Sequence, residues 1–120
     1  MTLQECYIAL GGDYEDVINR LRSERMVQKF VLKFLDDPSF DTLCRALAEK
    51  NPEEAFRAAH TIKGTCQNLG FTKLGDSGSR ITEALRAGDF DGAQALFETV
   101  RADYTDTVNA IRTFSDGLAG

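Results

Sequence analysis

Between Asn51 and Gly70 the chain writes both ends of one helix. Asn51 is a capping residue, and Pro52 takes the first helical position, where its missing N–H goes unneeded. Glu53 and Glu54 then set negative charge against the positive end of the helix dipole. Gly70 supplies a left-handed stop. A helix turns roughly 100° per residue, so the faces of this one can be computed. With the single histidine, His60, set at zero, Ala55, Ala58, Ala59, Ile62, Cys66 and Leu69 fall between roughly 160° and 260°. One face is therefore apolar and the opposite face carries the histidine. A helix of this kind is stable in water only when its stripe packs against other elements, so the rest of the chain must supply them.

The other segments repeat the helical spacing. Leu3 to Leu10 is a short helix stopped by Gly11-Gly12, and Asp13 caps a second with Val17, Ile18 and Leu21 inward. From Glu24 to Leu35 the apolar positions are Val27, Phe30, Val31, Phe34 and Leu35. Pro38 interrupts that run, and Ser39 offers a cap for a segment with Phe40, Leu43, Cys44 and Leu47 inward. Thr72 to Ala87, ended by Gly88, carries Leu74, Gly78, Ile81 and Leu85. The last segment starts near Phe90 with Ala93, Phe97, Val100, Tyr104, Val108 and Ile111, and should fray from Ser115 to Gly120. No stretch combines β-branched residues with two-residue alternation, so no strand is expected. Long amphipathic helices joined by short loops predict an all-α protein: an antiparallel four-helix bundle, its first helix broken at Pro38, with one or two short N-terminal helices in front. At 120 residues the chain is expected to form one domain spanning residues 1–120.

Composition excludes several function classes. Fourteen basic against nineteen acidic residues leave a net charge of −5, which opposes non-specific nucleic-acid binding through phosphate neutralisation. No apolar run approaches the ~20 residues of a membrane span, and the N-terminus lacks the basic start and apolar stretch of a signal peptide. Cys6, Cys44 and Cys66 are odd in number and lack CxxC spacing. They read as reduced core residues of a cytoplasmic protein, with no metal site.

The face around His60 carries the chemistry. Phe56, Arg57, Lys63, Gly64 and Gln67 lie within about 60° of it. A glycine inside a helix costs ~1 kcal/mol relative to alanine, so Gly64 needs a reason. Helical side chains lean toward the N-terminus, so a side chain at 64 would cover the spot beside His60, and glycine leaves it bare. Lys63 at i+3 leans back toward the histidine, with three donors suited to a phosphoryl group. Gln67 at i+7 can donate an amide N–H on the same face. Phe56 is either a boundary residue or, with Arg57, part of a docking surface.

The run His60-Thr61-Ile62-Lys63-Gly64-Thr65-Cys66-Gln67-Asn68-Leu69-Gly70 resembles the signature of the histidine phosphotransfer (HPt) domain family. Arg86-Ala87-Gly88-Asp89 is similar to the loop that precedes the family's last helix. The resemblance implies a phosphorelay intermediate of two-component signalling. His60 would accept a phosphoryl group from a receiver-domain aspartate, at Nε2, and pass it to another receiver. Lys63 and Gln67 would hold phosphoryl oxygens, and Gly64 would give access. The implied partners are response-regulator receiver domains, with a hybrid sensor kinase as a further candidate, and the implied carrier is a monomer without nucleotide, metal or other cofactor. One departure is visible: many members carry a Leu-Glu pair where this chain has Ile81-Thr82, which leaves the polar support of the site open.

Three other readings compete. A bundle could dock signalling partners without being phosphorylated, but the histidine is present. A metal-binding bundle needs inward Glu and His pairs, and a hydrolase needs a base–nucleophile pair. One outward histidine supplies neither. The relay reading is compatible with a free-standing carrier, a piece of a hybrid kinase, or the first domain of a chemotaxis-type kinase.

Overall fold

The computed structural model describes residues 1–119. Its helices are α1 (Leu3–Leu10), α2 (Tyr14–Leu21), α3 (Glu24–Lys33), α4 (Ser39–Ala48), α5 (Pro52–Leu69), α6 (Thr72–Arg86) and α7 (Phe90–Ala119), with a 3-10 turn at Phe34–Asp36. No strand occurs among the described residues. Caps explain most of the starts: Thr2, Asp13, Ser23 and Asn51 each accept a hydrogen bond from the backbone N–H three residues on.

Three expectations need correction. Ser39 is the first residue of α4 rather than its cap. Its own N–H donates to Asp37 Oδ1 at 2.8 Å, so the Asp37 side chain satisfies that orphan donor. The α3 segment leaves regular helix at Lys33 and tightens into the 3-10 turn before Pro38. That break points both Phe34 and Phe40 inward, where Phe40 stacks on Tyr104 at 3.9 Å and Phe34 meets Phe71 edge-on at 5.2 Å. The tail does not fray from Ser115: α7 stays helical through Ala119, and Gly120 lies outside the described residues.

The helices bearing the site pack as neighbours. Cys66 of α5 lies against Gly75 of α6, Ile62 against Gly78, and Phe56 against Arg86, so α5 and α6 run in opposite directions. Gly75 lets them approach closely, since an added Cβ would stand only 3.3 Å from Cys66 Cβ, whereas one at Gly78 would make an ordinary contact at 3.6 Å from Ile62 Cγ2. α7 returns along α6, with Lys73 Nζ 2.9 Å from Asp106 Oδ2. Gln94 of α7 donates to the Leu47 carbonyl at the end of α4, at 3.0 Å. α1 closes the far end of α7, where the Cys6 thiol meets the Ala110 carbonyl at 3.6 Å.

The turn between α5 and α6 is clamped by the N-terminal helices. Gly70 adopts φ 70°, and a Cβ there would strike the Asp13 carbonyl at 2.8 Å, so both conformation and space require glycine. Asp13 N–H donates to the Gly70 carbonyl at 2.8 Å, and the buried Tyr7 hydroxyl donates to the Leu69 carbonyl at 2.6 Å. The last carbonyls of α5, orphaned by the helix end, thereby gain partners.

Candidate functional site

The core stripe read from the sequence is the one observed: Ala55, Ala58, Ala59, Ile62, Cys66 and Leu69 are the buried residues of α5. Their burial fixes the helix's rotation, and His60 follows from it as an exposed residue. Cys6 and Cys66 are buried and Cys44 is half-buried, all three as free thiols. Burial pushes the Cys66 thiol up from 9.0 to about 12 and the Cys6 thiol to about 11, so both are inert at neutral pH.

Phe56, one turn before His60, is half-buried and stacks nearly parallel to the imidazole, with ring centroids 5.8 Å apart and 17° between planes. It forms one wall of the site as well as a boundary of the core. Gly64, one turn after, is exposed, and a Cβ built on it meets nothing within 4 Å. No helix packs there. The imidazole is therefore flanked by a flat ring on one side and open space on the other.

Lys63 does not stand free over His60. Its side chain is only 22% exposed and turns toward α6, where Nζ lies 3.9 Å from Glu83 Oε1. Glu83 also takes Arg86, whose Nε lies 3.4 Å from the carboxylate. The Arg86 guanidinium in turn sits 5.1 Å from the centre of the Phe56 ring, within cation–π range. The side chains thus link in a sequence from His60 through Phe56, Arg86 and Glu83 to Lys63, joining α5 to α6. Gln67 is exposed two turns along the same face, at the rim of a hollow of about 340 Å³ between α2, α5 and α6. Arg57 is exposed and lines, with Pro52, Phe56, Leu85 and Arg86, a groove of about 580 Å³.

Glu83 and Arg86 are the neighbours the sequence reading missed. The signal was the short turn at Gly70–Phe71, which sets α6 antiparallel to α5 and brings its second half level with Phe56, His60 and Lys63. Thr82, at the departure from the Leu-Glu pattern, is buried and its hydroxyl donates to the Gly78 carbonyl at 2.6 Å. It is committed to its own helix, and the carboxylate beside the site comes from the next residue. Among the described residues, no three His, Cys, Asp or Glu side chains gather as metal ligands, and no helix is long and apolar enough to cross a membrane.

A family model described as the Hpt domain matches residues 25–112, from the start of α3 well into α7. Neither the curated proteins nor the solved structures compared with the chain give a match.

Proposed function

The chain belongs to the Hpt domain family, whose members carry phosphoryl groups on histidine in two-component phosphorelays, and on that premise we propose that His60 is the carrying residue here. The observation that supports this most is the environment of the only histidine: exposed on α5, with open space where a side chain at Gly64 would stand. A phosphoryl donor is large and must approach along the line of the bond that breaks. An uncrowded ring permits that approach.

In the proposed step, the lone pair of His60 Nε2 attacks the phosphorus of a receiver's aspartyl phosphate. The P–N bond forms as the bond from phosphorus to the carboxylate oxygen breaks. The carboxylate leaves with the electron pair, and the ring proton stays on Nδ1. The product is a cationic imidazole bearing a dianionic phosphoryl group, so no net charge or proton is lost. The reverse reaction, with a second receiver, passes the group on. Lys63 and Gln67 donate to the phosphoryl oxygens, and Phe56 holds the imidazole plane by stacking. Phe56 and Arg57 form the part of the docking surface nearest the histidine. On this reading the protein is a monomeric, cytoplasmic, single-domain carrier that relies on its receiver partners for catalysis.

The test is transfer from phosphorylated receiver domains of the same genome. The wild-type chain should acquire acid-labile, base-stable label, and His60→Gln should acquire none while keeping its helical circular dichroism. Label retained in His60→Gln would remove His60 from the role.

A further inference from the structure

Lys63 is the residue best placed to hold a phosphoryl group on His60, yet its ammonium is already engaged. It lies 3.9 Å from Glu83 Oε1, on a neighbouring helix, and its side chain is the more enclosed partner, 22% exposed against 57% for Glu83. Gly78 of α6 faces this part of α5: a Cβ built on it would stand 3.9 Å from the Lys63 backbone, in ordinary contact, so the two helices are close neighbours at Lys63. Both side chains lean toward the N-terminal ends of their own helices. On antiparallel helices those leans converge, and the two charges meet between α5 and α6. Arg86 fixes the other side of the carboxylate and is itself held over Phe56. Glu83 is thus bracketed by two cations, one of them carried three residues after His60 on α5.

We propose that Glu83 is a positioning residue that parks the Lys63 ammonium beside His60 in the resting protein and yields it to the phosphoryl group once that group is on the ring. The proposal rests on the reading of His60 as phosphoryl acceptor. Charge and geometry support the exchange. A half-exposed pair at 3.9 Å is a weak one, whereas a phosphoryl group on His60 presents up to two negative charges and three acceptor oxygens to the same ammonium. Glu83 competes with the phosphoryl group for Lys63 and so sets how tightly that group is held. Arg86, anchored by Phe56, keeps the carboxylate in place after the lysine leaves.

The experiment loads His60 chemically with phosphoramidate, so that no receiver is needed, and follows the phosphohistidine by phosphorus NMR as pH is varied. In Glu83→Gln the lysine has no competing carboxylate, so it should favour the dianionic phosphoryl form more strongly. The midpoint of the phosphoryl titration should fall by about 0.3–0.7 pH units, a two- to fivefold change matching the strength of exposed ion pairs. Glu83→Asp should restore most of the wild-type midpoint. In a Lys63→Ala background the Glu83→Gln shift should shrink to less than half. A shift equally large or larger without Lys63 would mean that Glu83 acts on the phosphoryl group directly, and would overturn the proposal, as would no shift at all. Failure of the wild-type chain to take up phosphorus, from phosphoramidate and from receivers alike, would instead overturn the reading of His60.

Discussion

Replacing Gly64 by alanine should make this protein more stable and less active. Gly64 lies in the interior of α5, where glycine costs ~1 kcal/mol relative to alanine, in part because the unfolded chain has more freedom to lose. That gain is normally cancelled when the new methyl group collides with a neighbour. Here the Cβ meets nothing within 4 Å, so no steric cost offsets it. The expected stabilisation is about 0.5–1 kcal/mol. With an unfolding entropy of ~2.1 cal/mol/K per residue, the 120-residue chain should gain about 2–4 °C in Tm. Circular dichroism at 222 nm during heating and urea titration measures this, and transfer from a phosphorylated receiver is followed on the same preparation. Gly64→Gln extends the test: glutamine is also a good helix former, so stability should rise by a similar amount, while the longer side chain leans over His60 and blocks the donor. A fall in Tm for Gly64→Ala would show that the glycine serves α5 itself. Full transfer by Gly64→Gln would show that access to the ring does not depend on it.

Tyr7→Phe keeps the buried ring but removes the donor to the Leu69 carbonyl at 2.6 Å, leaving a buried acceptor unpaired. It should cost about 1–2 kcal/mol in urea unfolding, and a loss under about 0.5 kcal/mol would refute the clamp on the α5–α6 turn. The Cys66 thiol, pushed up from 9.0 to about 12 by burial, adds stability that is complete below pH 9 and lost as pH rises toward 12, because the unfolded chain releases its proton first. Stability plotted against pH between 9 and 11 should therefore fall less steeply in Cys66→Ala, by up to about 1.4 kcal/mol per pH unit, and an unchanged slope would show that this thiol does not drive the alkaline loss.

The fold was legible wherever a single helix carried its own instructions. Asn51-Pro52 at one end of α5 and Gly70 at the other mark its limits, and the stripe between them alone predicts which side is buried. The breaks were harder. Ser39 looks like a cap, because serine commonly is one, but the helix starts one residue earlier than a Ser39 cap requires, and Asp37, one residue before the proline, accepts the Ser39 N–H. Where the helix begins depends on the backbone that Pro38 imposes, and residue type alone does not record that. The persistence of α7 beyond Ser115 has a similar cause. Phe114, 3% exposed, gives the last turns a buried anchor that composition near a terminus does not advertise.

The site divides along the same line. His60, Gly64 and Phe56 lie one turn apart on one helix, so their relation follows from the helical period. Lys63 shows where that reasoning stops. The period places its Cβ beside His60 correctly, but a lysine side chain is long enough to choose among partners, and the choice is made by the nearest opposite charge. That charge belongs to Glu83, twenty positions away in sequence and close in space because α6 packs against α5, most tightly at Gly75. The two helices therefore contribute differently. α5 contains the proposed acceptor and the space around it, both fixed by its own rotation. α6 contributes a carboxylate and a guanidinium whose effect depends on interhelical distance. Substitutions that widen the contact at Gly75, where an added Cβ would stand only 3.3 Å from Cys66 Cβ, should loosen the Lys63–Glu83 pair while leaving His60 exposed. The residue proposed to hold the phosphoryl group would be altered without any change to the one proposed to carry it.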